Sequence, residues 1–420
     1  MNLAWISVGA LALAIVLSCV TSINVGVFAI ALAWIVGVYV AKMPIATVMG
    51  GFPVQLFLTL AGVTLLFTMA QCNGTLDRLA HHAVRLCRGH RGVVPIMYFV
   101  LAASLASIGP GNISTAALVA PMAMATASRA NIPLFLMAIM VGNGANAGSL
   151  SPFAPTGIIV NGLMARIGMT GLAFESYVSN LLAHALVAFG GYFLFGGWKL
   201  FAEHGTTTGA MPPGDPADGP FEFRHYLTMA AIAVLITSVI VGQVNVGMGA
   251  FLAATVLVLS GAADDREAIK RMPWNVIVMV CGVTVLIALL EKAQGIELIG
   301  SLIAKLSTRD SVTAVVAFLT GGISVYSSTS GVVLPAFLPM VPTLAQQLGG
   351  ANQVAIALSM NVGGHLVDVS PLSTIGALCI AAVSGDASRK LFNQLLAWGL
   401  SMTVVGALIC YLVFGRSGLF

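Results

Sequence analysis

Charge is what this sequence has least of. Aspartate, glutamate, lysine and arginine make up 8% of its 420 residues, against about 25% in a soluble domain. Hydrophobic residues make up 58%, and mean hydropathy is +0.99. So little charge excludes a globule that faces water on all sides. Cysteine is sparse as well. Cys19, Cys72, Cys87, Cys281, Cys379 and Cys410 form no CxxC and no cluster with histidine, which excludes a disulfide scaffold or a zinc site. The apolar segments lack HExxH and any nucleophile–base spacing, so no enzyme is expected, a membrane-embedded one standing as a remote alternative. A net charge of +4 is too small to make a nucleic-acid partner of any kind expected.

What is abundant is long apolar sequence broken by small residues. Runs of 17 residues or more meet the length that crosses about 30 Å of hydrocarbon. With 46 glycines and 17 prolines many runs are interrupted, which a bilayer tolerates only where broken backbone faces protein or a wet cavity. The fold class expected is an all-α polytopic membrane protein with the lipid bilayer as its surroundings. Val16-Leu17-Ser18-Cys19 loosely resembles a lipoprotein signal, but no basic stretch precedes it, and the segment is read as the first membrane helix.

Repetition organises the rest. Asn24-Val25-Gly26 recurs as Asn245-Val246-Gly247, and Gly62-Val63-Thr64 as Gly282-Val283-Thr284. SIGPGNISTAALVAP (107–121) answers SVYSSTSGVVLP (324–335), and GNGANAGSLSP (142–152) answers NVGGHLVDVSP (361–371). Gly157 then answers Gly376. Matches in one order at offsets near 220 residues indicate two related halves, residues 1–202 and 225–420, joined by a linker at 203–224. About ten spanning helices are expected. One in each half is broken (133–165 and 352–383). Each half also holds an apolar stretch with a polar centre (93–127 and 311–347), read as a re-entrant hairpin in preference to two ordinary spans.

Five crossings per half would invert the second half relative to the first. Twelve lysines and arginines then fall on one face and six on the other, making the first face cytoplasmic. Both termini are expected on the periplasmic side of a bacterial inner membrane, with the first hairpin entering from the cytoplasm and the second from outside. Residues 75–91 read as a basic amphipathic helix in the cytoplasmic interface, with His81 and His82 as solvated interfacial side chains in preference to a metal or proton relay.

The chemistry is expected where polar residues interrupt apolar sequence. The first tip offers Gly109, Asn112, Ser114 and Thr115; the first break offers Asn143, Gly144, Asn146, Ser149 and Ser151. The second tip offers Ser327, Ser328, Thr329 and Ser330; the second break offers Asn361, Gly363, His365, Asp368, Ser370, Pro371, Ser373 and Thr374. Helix ends at such breaks present free N–H groups to a carboxylate, while unwound carbonyls and hydroxyls suit Na⁺. Asn112, Ser114, Thr115, Ser327, Ser328, Thr329, Ser370, Pro371 and Thr374 are assigned to substrate. Gly109, Asn112, Asn143, Gly144, Asn146, Ser149, Ser330, Asn361, Gly363 and Asp368 are assigned to the cation. None of these segments holds lysine or arginine, so an anion would be held by neutral donors and co-bound cations. Two readings stand for Asp368, a functional acid or the cap of a half-helix starting near Ser370. His365 is a proton or substrate contact in one reading and a packing residue in the other.

This pattern resembles the divalent-anion sodium symporter family of the ion-transporter superfamily, nearest to the MatC-type dicarboxylate carriers. In that family each tip carries Ser-Asn-Thr. Counting back from Pro121, Asn112 stands at the family's Asn and Thr115 at its later Thr, with Gly111 and Ile113 replacing the flanking residues. Counting back from Pro335, Tyr326 takes the Asn position, Ser327 the motif Thr and Thr329 the later Thr. The resemblance implies sodium-coupled uptake of a small organic dianion, such as malonate, malate or succinate, by a homodimer working as an elevator. It implies no cofactor beyond Na⁺ as coupling ion. A proton-coupled carrier or cation/proton antiporter using Asp368 and His365 is the alternative.

Overall fold

A computed structural model describes residues 2–21, 23–86, 89–201, 206–207, 220–383 and 385–416. The first half runs through α1 (Leu3–Val20), α2 (Val25–Trp34, continued by a π-helical turn Ile35–Val40), α3 (Ile45–Met49), α4 (Val54–Cys72) and α5 (Thr75–Leu86). α6 (Val94–Ile108), α7 (Gly111–Arg129), α8 (Leu134–Ala147), α9 (Pro155–Arg166) and α10 (Ala173–Leu194) complete it. The second half repeats this order. It comprises α11 (Phe223–Gly242), α12 (Val246–Leu259), α13 (Asp265–Arg271), α14 (Trp274–Lys292), α15 (Gly295–Lys305) and α16 (Val312–Ser324). After a π-helical turn (Thr329–Val333) come α17 (Leu334–Phe337), α18 (Val341–Gln347), α19 (Gln353–Leu366), α20 (Thr374–Ala381) and α21 (Asp386–Cys410). Among the described residues seven helices are long and apolar enough to cross a membrane singly.

The repeated motifs have physical work to do. In both Asn-Val-Gly motifs the asparagine caps its helix: Asn24 Oδ1 accepts from Gly26 N at 2.9 Å, and Asn245 Oδ1 from Gly247 N at 3.1 Å. The glycine two residues on then lets the helix touch one from the other half. A β-carbon on Gly282 would lie 2.1 Å from the Gly26 carbonyl oxygen, and one on Gly62 would lie 2.4 Å from that of Gly247. Thus α2 crosses α14 and α4 crosses α12, backbone against backbone, as small residues permit in lipid.

Each half also holds a hairpin. In the first, Tyr98 near the start of α6 bonds Thr126 near the end of α7 at 2.9 Å, so the arms run antiparallel. In the second, the chain turns by 120° between Val312–Ser324 and Thr329–Gln347. The amphipathic α5 has a counterpart absent from the sequence reading, α15, which packs beside α1 and α18. His81 is buried rather than solvated, because α5 lies against α4, α6, α7 and α11. His82 Nδ1 lies 2.9 Å from the Arg78 carbonyl, and no group of three metal-ligating side chains occurs among the described residues. Most of the linker at 203–224 lies outside those residues. Its end is held where Arg78 donates to the Pro220 carbonyl and lies 3.6 Å from Glu222.

Apolar packing gathers into two cores. One joins α1, α2, α4, α11, α12 and α14 with the outgoing arm of the second hairpin. The other joins α6, α7, α8, α10, α20 and α21. α16 and α19 contribute to both.

Candidate functional site

The first tip is tightly packed where it begins. Gly109 ends α6 at φ +148°, a conformation side chains rarely adopt, and a β-carbon there would lie 1.9 Å from the Phe67 ring. Around Gly109, Pro110 and Ser114 only about 40 Å³ is left against α4. Behind the tip, Asn112 Nδ2 donates to Asn146 Oδ1 at 2.9 Å. Thr115 is buried and its hydroxyl has no partner. The first break is a network of amides. The Asn146 carbonyl accepts from Ser149 Oγ and from Asn180 Nδ2, each at 2.7 Å. Asn143 Nδ2 donates to the Ile139 carbonyl at 2.8 Å, and its Oδ1 accepts from His184 Nδ1 at 2.9 Å. Gly144 presses α8 onto α6, where a β-carbon would meet the Phe99 carbonyl at 2.5 Å.

The second tip is built differently. Ser328 Oγ accepts from Gly331 N at 3.1 Å, capping the π-helical turn. Thr329 Oγ1 donates to Asp368 Oδ1 at 2.8 Å, with the Gly364 carbonyl at 3.3 Å. Ser327 shares a 2.7 Å hydrogen bond with Ser18 at the end of α1, and Tyr326 is 55% exposed. At the second break, His365 is buried and its Nδ1 donates to the Asn361 carbonyl at 2.8 Å, while Nε2 has no partner. Gly363 presses α19 onto α16 as Gly144 presses α8 onto α6.

One expectation for Asp368 is corrected. α20 begins at Thr374, not near Ser370, and its N-cap is Ser373. Ser373 Oγ closes that turn by donating to the Ser370 carbonyl at 2.8 Å and to the Asp368 backbone carbonyl. The Asp368 carboxylate therefore caps no helix and faces Thr329 instead.

These elements enclose an open cavity of about 320 Å³. Of the residues assigned from sequence to substrate or cation, Asn112, Ser327, Ser328, Thr329, Ser330, Asp368 and Thr374 line it, and His365 joins them. Ser114 and Gly109 line the small space at the first tip. Thr115, Asn143, Gly144, Asn146, Ser149, Asn361, Gly363, Ser370 and Pro371 are buried behind the two surfaces. Sequence reading missed the opposite wall, formed by Ser18 at the end of α1, Thr21 just after it and Asn275 on α14. It also missed Asn180 and His184 on α10. The signal was present in each case as a polar side chain isolated in or beside an apolar helix. Asn24, whose Nδ2 donates to Asn275 Oδ1 at 2.6 Å, ties α2 to that wall.

Residues 1–149 match the family model for the N-terminus of the dicarboxylate carrier protein MatC. An uncharacterized transporter of Mycobacterium bovis and one of Mycobacterium tuberculosis are each 24% identical over 345 residues, covering 78% of this chain and 78% of the relative. Among solved structures, Neisseria gonorrhoeae MtrF, of a class of antimetabolite efflux pumps, aligns with a TM-score of 0.59 at 12% identity over 89% of this chain and 83% of its own. The YdaH transporter of Alcanivorax borkumensis aligns with a TM-score of 0.60 at 16% identity over 88% and 87%. At these identities the structures show a shared fold. Together with the apolar helices, the comparisons identify a multi-pass membrane transporter rather than an enzyme.

Proposed function

We propose that this transporter carries small dicarboxylates, C3 or C4 acids such as malonate, malate or succinate, by sodium-coupled symport. The carrying observation is the cavity where Asn112, the second tip and the second break meet, lined by hydroxyls and amides, one acid and no lysine or arginine. An anion entering it finds neutral donors and Asp368, so its charge must be balanced by co-bound cations. Oxygens of Thr329 and Asp368 fit Na⁺, a hard cation that prefers oxygen ligands. The MatC family match over residues 1–149 supports the dicarboxylate class.

The two apolar cores support an elevator reading. In an elevator, α6–α8, α10, α20 and α21 would move together with α16, α19 and the second hairpin past the frame of α1, α2, α4, α11, α12 and α14. The hairpin's outgoing arm packs on that frame in this state, and the frame would form the homodimer. In an inner membrane with both termini periplasmic, the cavity at the end of α1 and the start of α14 faces the cytoplasm. That makes this the inward-facing state.

Uptake of labelled succinate and malate into proteoliposomes under an imposed Na⁺ gradient tests the reading. Accumulation that collapses when the gradient is dissipated is expected. Failure of a Na⁺ gradient to drive any of these acids would overturn it. Proton coupling is the second reading, favoured by Asp368 and His365 sharing one cavity. A proton gradient that drives uptake without Na⁺, and an Asp368→Asn variant blind to that gradient, would establish it instead.

A further inference from the structure

Beside hydroxyls that can donate or accept, the cavity holds carboxylate, imidazole and amide groups whose leftover hydrogen-bond capacity differs from wall to wall. At the second break it is acceptor. His365 spends its Nδ1–H on the Asn361 carbonyl, so the neutral ring presents a lone pair at Nε2. That atom is buried and unpartnered on a residue lining the cavity. Asp368, three residues on, lines the same wall. Among the described residues Thr329 supplies the one protein donor to its carboxylate, at Oδ1. On the facing elements the leftover capacity is donor. Asn275 Oδ1 accepts from Asn24, which leaves its NH₂ group. Asn112 uses one N–H on Asn146 and its Oδ1 on Ile113 N, which leaves its second N–H.

A plain dicarboxylate suits only the donor side, since it brings acceptors alone. Sodium beside Asp368 would use the carboxylate but not a ring nitrogen, which is a poor ligand for a hard cation. An ammonium group satisfies this wall by donating to Asp368 and His365 at once, and a hydroxyl by donating to one of them, while the carboxylates turn toward Asn275 and Asn112. We propose that the substrate is a short carboxylic acid bearing an O–H or N–H donor beside a carboxylate, selected by Asp368 and His365 over the unsubstituted acid. This rests on the dicarboxylate reading above and narrows it.

Succinate, malate and aspartate share one four-carbon skeleton and differ only in carrying hydrogen, hydroxyl or ammonium at one carbon. Proteoliposomes of the full chain loaded with each acid would be assayed for gradient-free exchange of labelled succinate, malate and aspartate, with the three acids as competitors. At least one donor-bearing acid is expected to compete about tenfold better than succinate, the worth of one hydrogen bond to a charged acceptor. Which one wins names the donor as hydroxyl or ammonium. Asp368→Asn and His365→Phe, made separately in case one fails to fold, are expected to bring that ratio to within about twofold of one, both of them if the donor is an ammonium and one of them if it is a hydroxyl. A ratio unmoved by either variant overturns the proposal. Equal competition by all three acids in the unaltered protein overturns the proposal and leaves the dicarboxylate reading standing. Exchange of none of them overturns both.

Discussion

The two hairpin tips occupy matching places in related halves, yet the start of one is pressed against a neighbouring helix, with only Asn112 and Ile113 reaching the open cavity. The other borders that cavity along its length. Gly109 and Ser114 sit against α4 under Phe67 with about 40 Å³ to spare, whereas Tyr326 to Ser330 border about 320 Å³. The frame beneath them does not differ in this way, because α2–α14 and α4–α12 cross through the same glycine pairs. A carrier must expose its site to one side at a time. Here the asymmetry resides in the tips and breaks while the crossings stay alike. The difference teaches that the repeats supply the scaffold, and the residues where they diverge supply the state.

The largest expected effect is on access. In a background stripped of native cysteines, Ser327→Cys should react with a soluble maleimide at least about tenfold faster than Ser114→Cys, because labelling needs access. Both side chains are half-buried, but the space beside Ser114, about 40 Å³, is too small to admit the reagent, while Ser327 borders about 320 Å³. Equal rates in mass-spectrometric labelling would erase the contrast between the tips. Next is Gly109→Ala, whose methyl meets Phe67 at a backbone angle that favours glycine. A loss of about 1–3 kcal/mol is expected from overpacking, seen as a lower melting temperature and slower exchange. Phe67→Leu in the same chain should recover part of it; no recovery would mean that the ring does not press on the tip.

Thr329→Val keeps shape but removes the donor to Asp368. A cost of about 1–3 kcal/mol is expected, read as a five- to hundredfold rise in KM for the transported acid. An unchanged KM would detach Asp368 from the second tip. Asn112→Ala, which cuts the bond to Asn146 at the first tip, should cost only about 1 kcal/mol, measured as a small drop in melting temperature. A loss larger than that of Thr329→Val would reverse the ranking of the two tips.

Much of this frame could be read before any coordinates. Asn24-Val25-Gly26 and Gly62-Val63-Thr64 stood out because a helix cap and a backbone crossing each demand one residue type, and duplication printed the demand twice. α15 escaped notice because it lacks the basic run that marks α5, and Lys305 is its lone cation after Lys292. The site was legible only in part. Ser328, Thr329 and Asp368 interrupt apolar sequence and so announce themselves. Ser18 and Asn275 sit at helix ends, where polar residues are ordinary, and only the meeting of α1, α14 and the second tip gives them a shared wall. One of two readings makes Asp368 a cap because the second half-helix is expected to start near Ser370, two residues on. The chain needs more residues to turn than that spacing implied, and Ser373 takes the position.

The glycine crossings also bear on how the protein is made. Gly26 rests on Gly282 and Gly62 on Gly247, so neither half buries its own seam. A nascent chain that has delivered α2 and α4 to the bilayer must hold them there unpaired until α12 and α14 emerge from the ribosome. The halves expressed as separate polypeptides would then be expected to mature only when both are present, each serving as the other's assembly template.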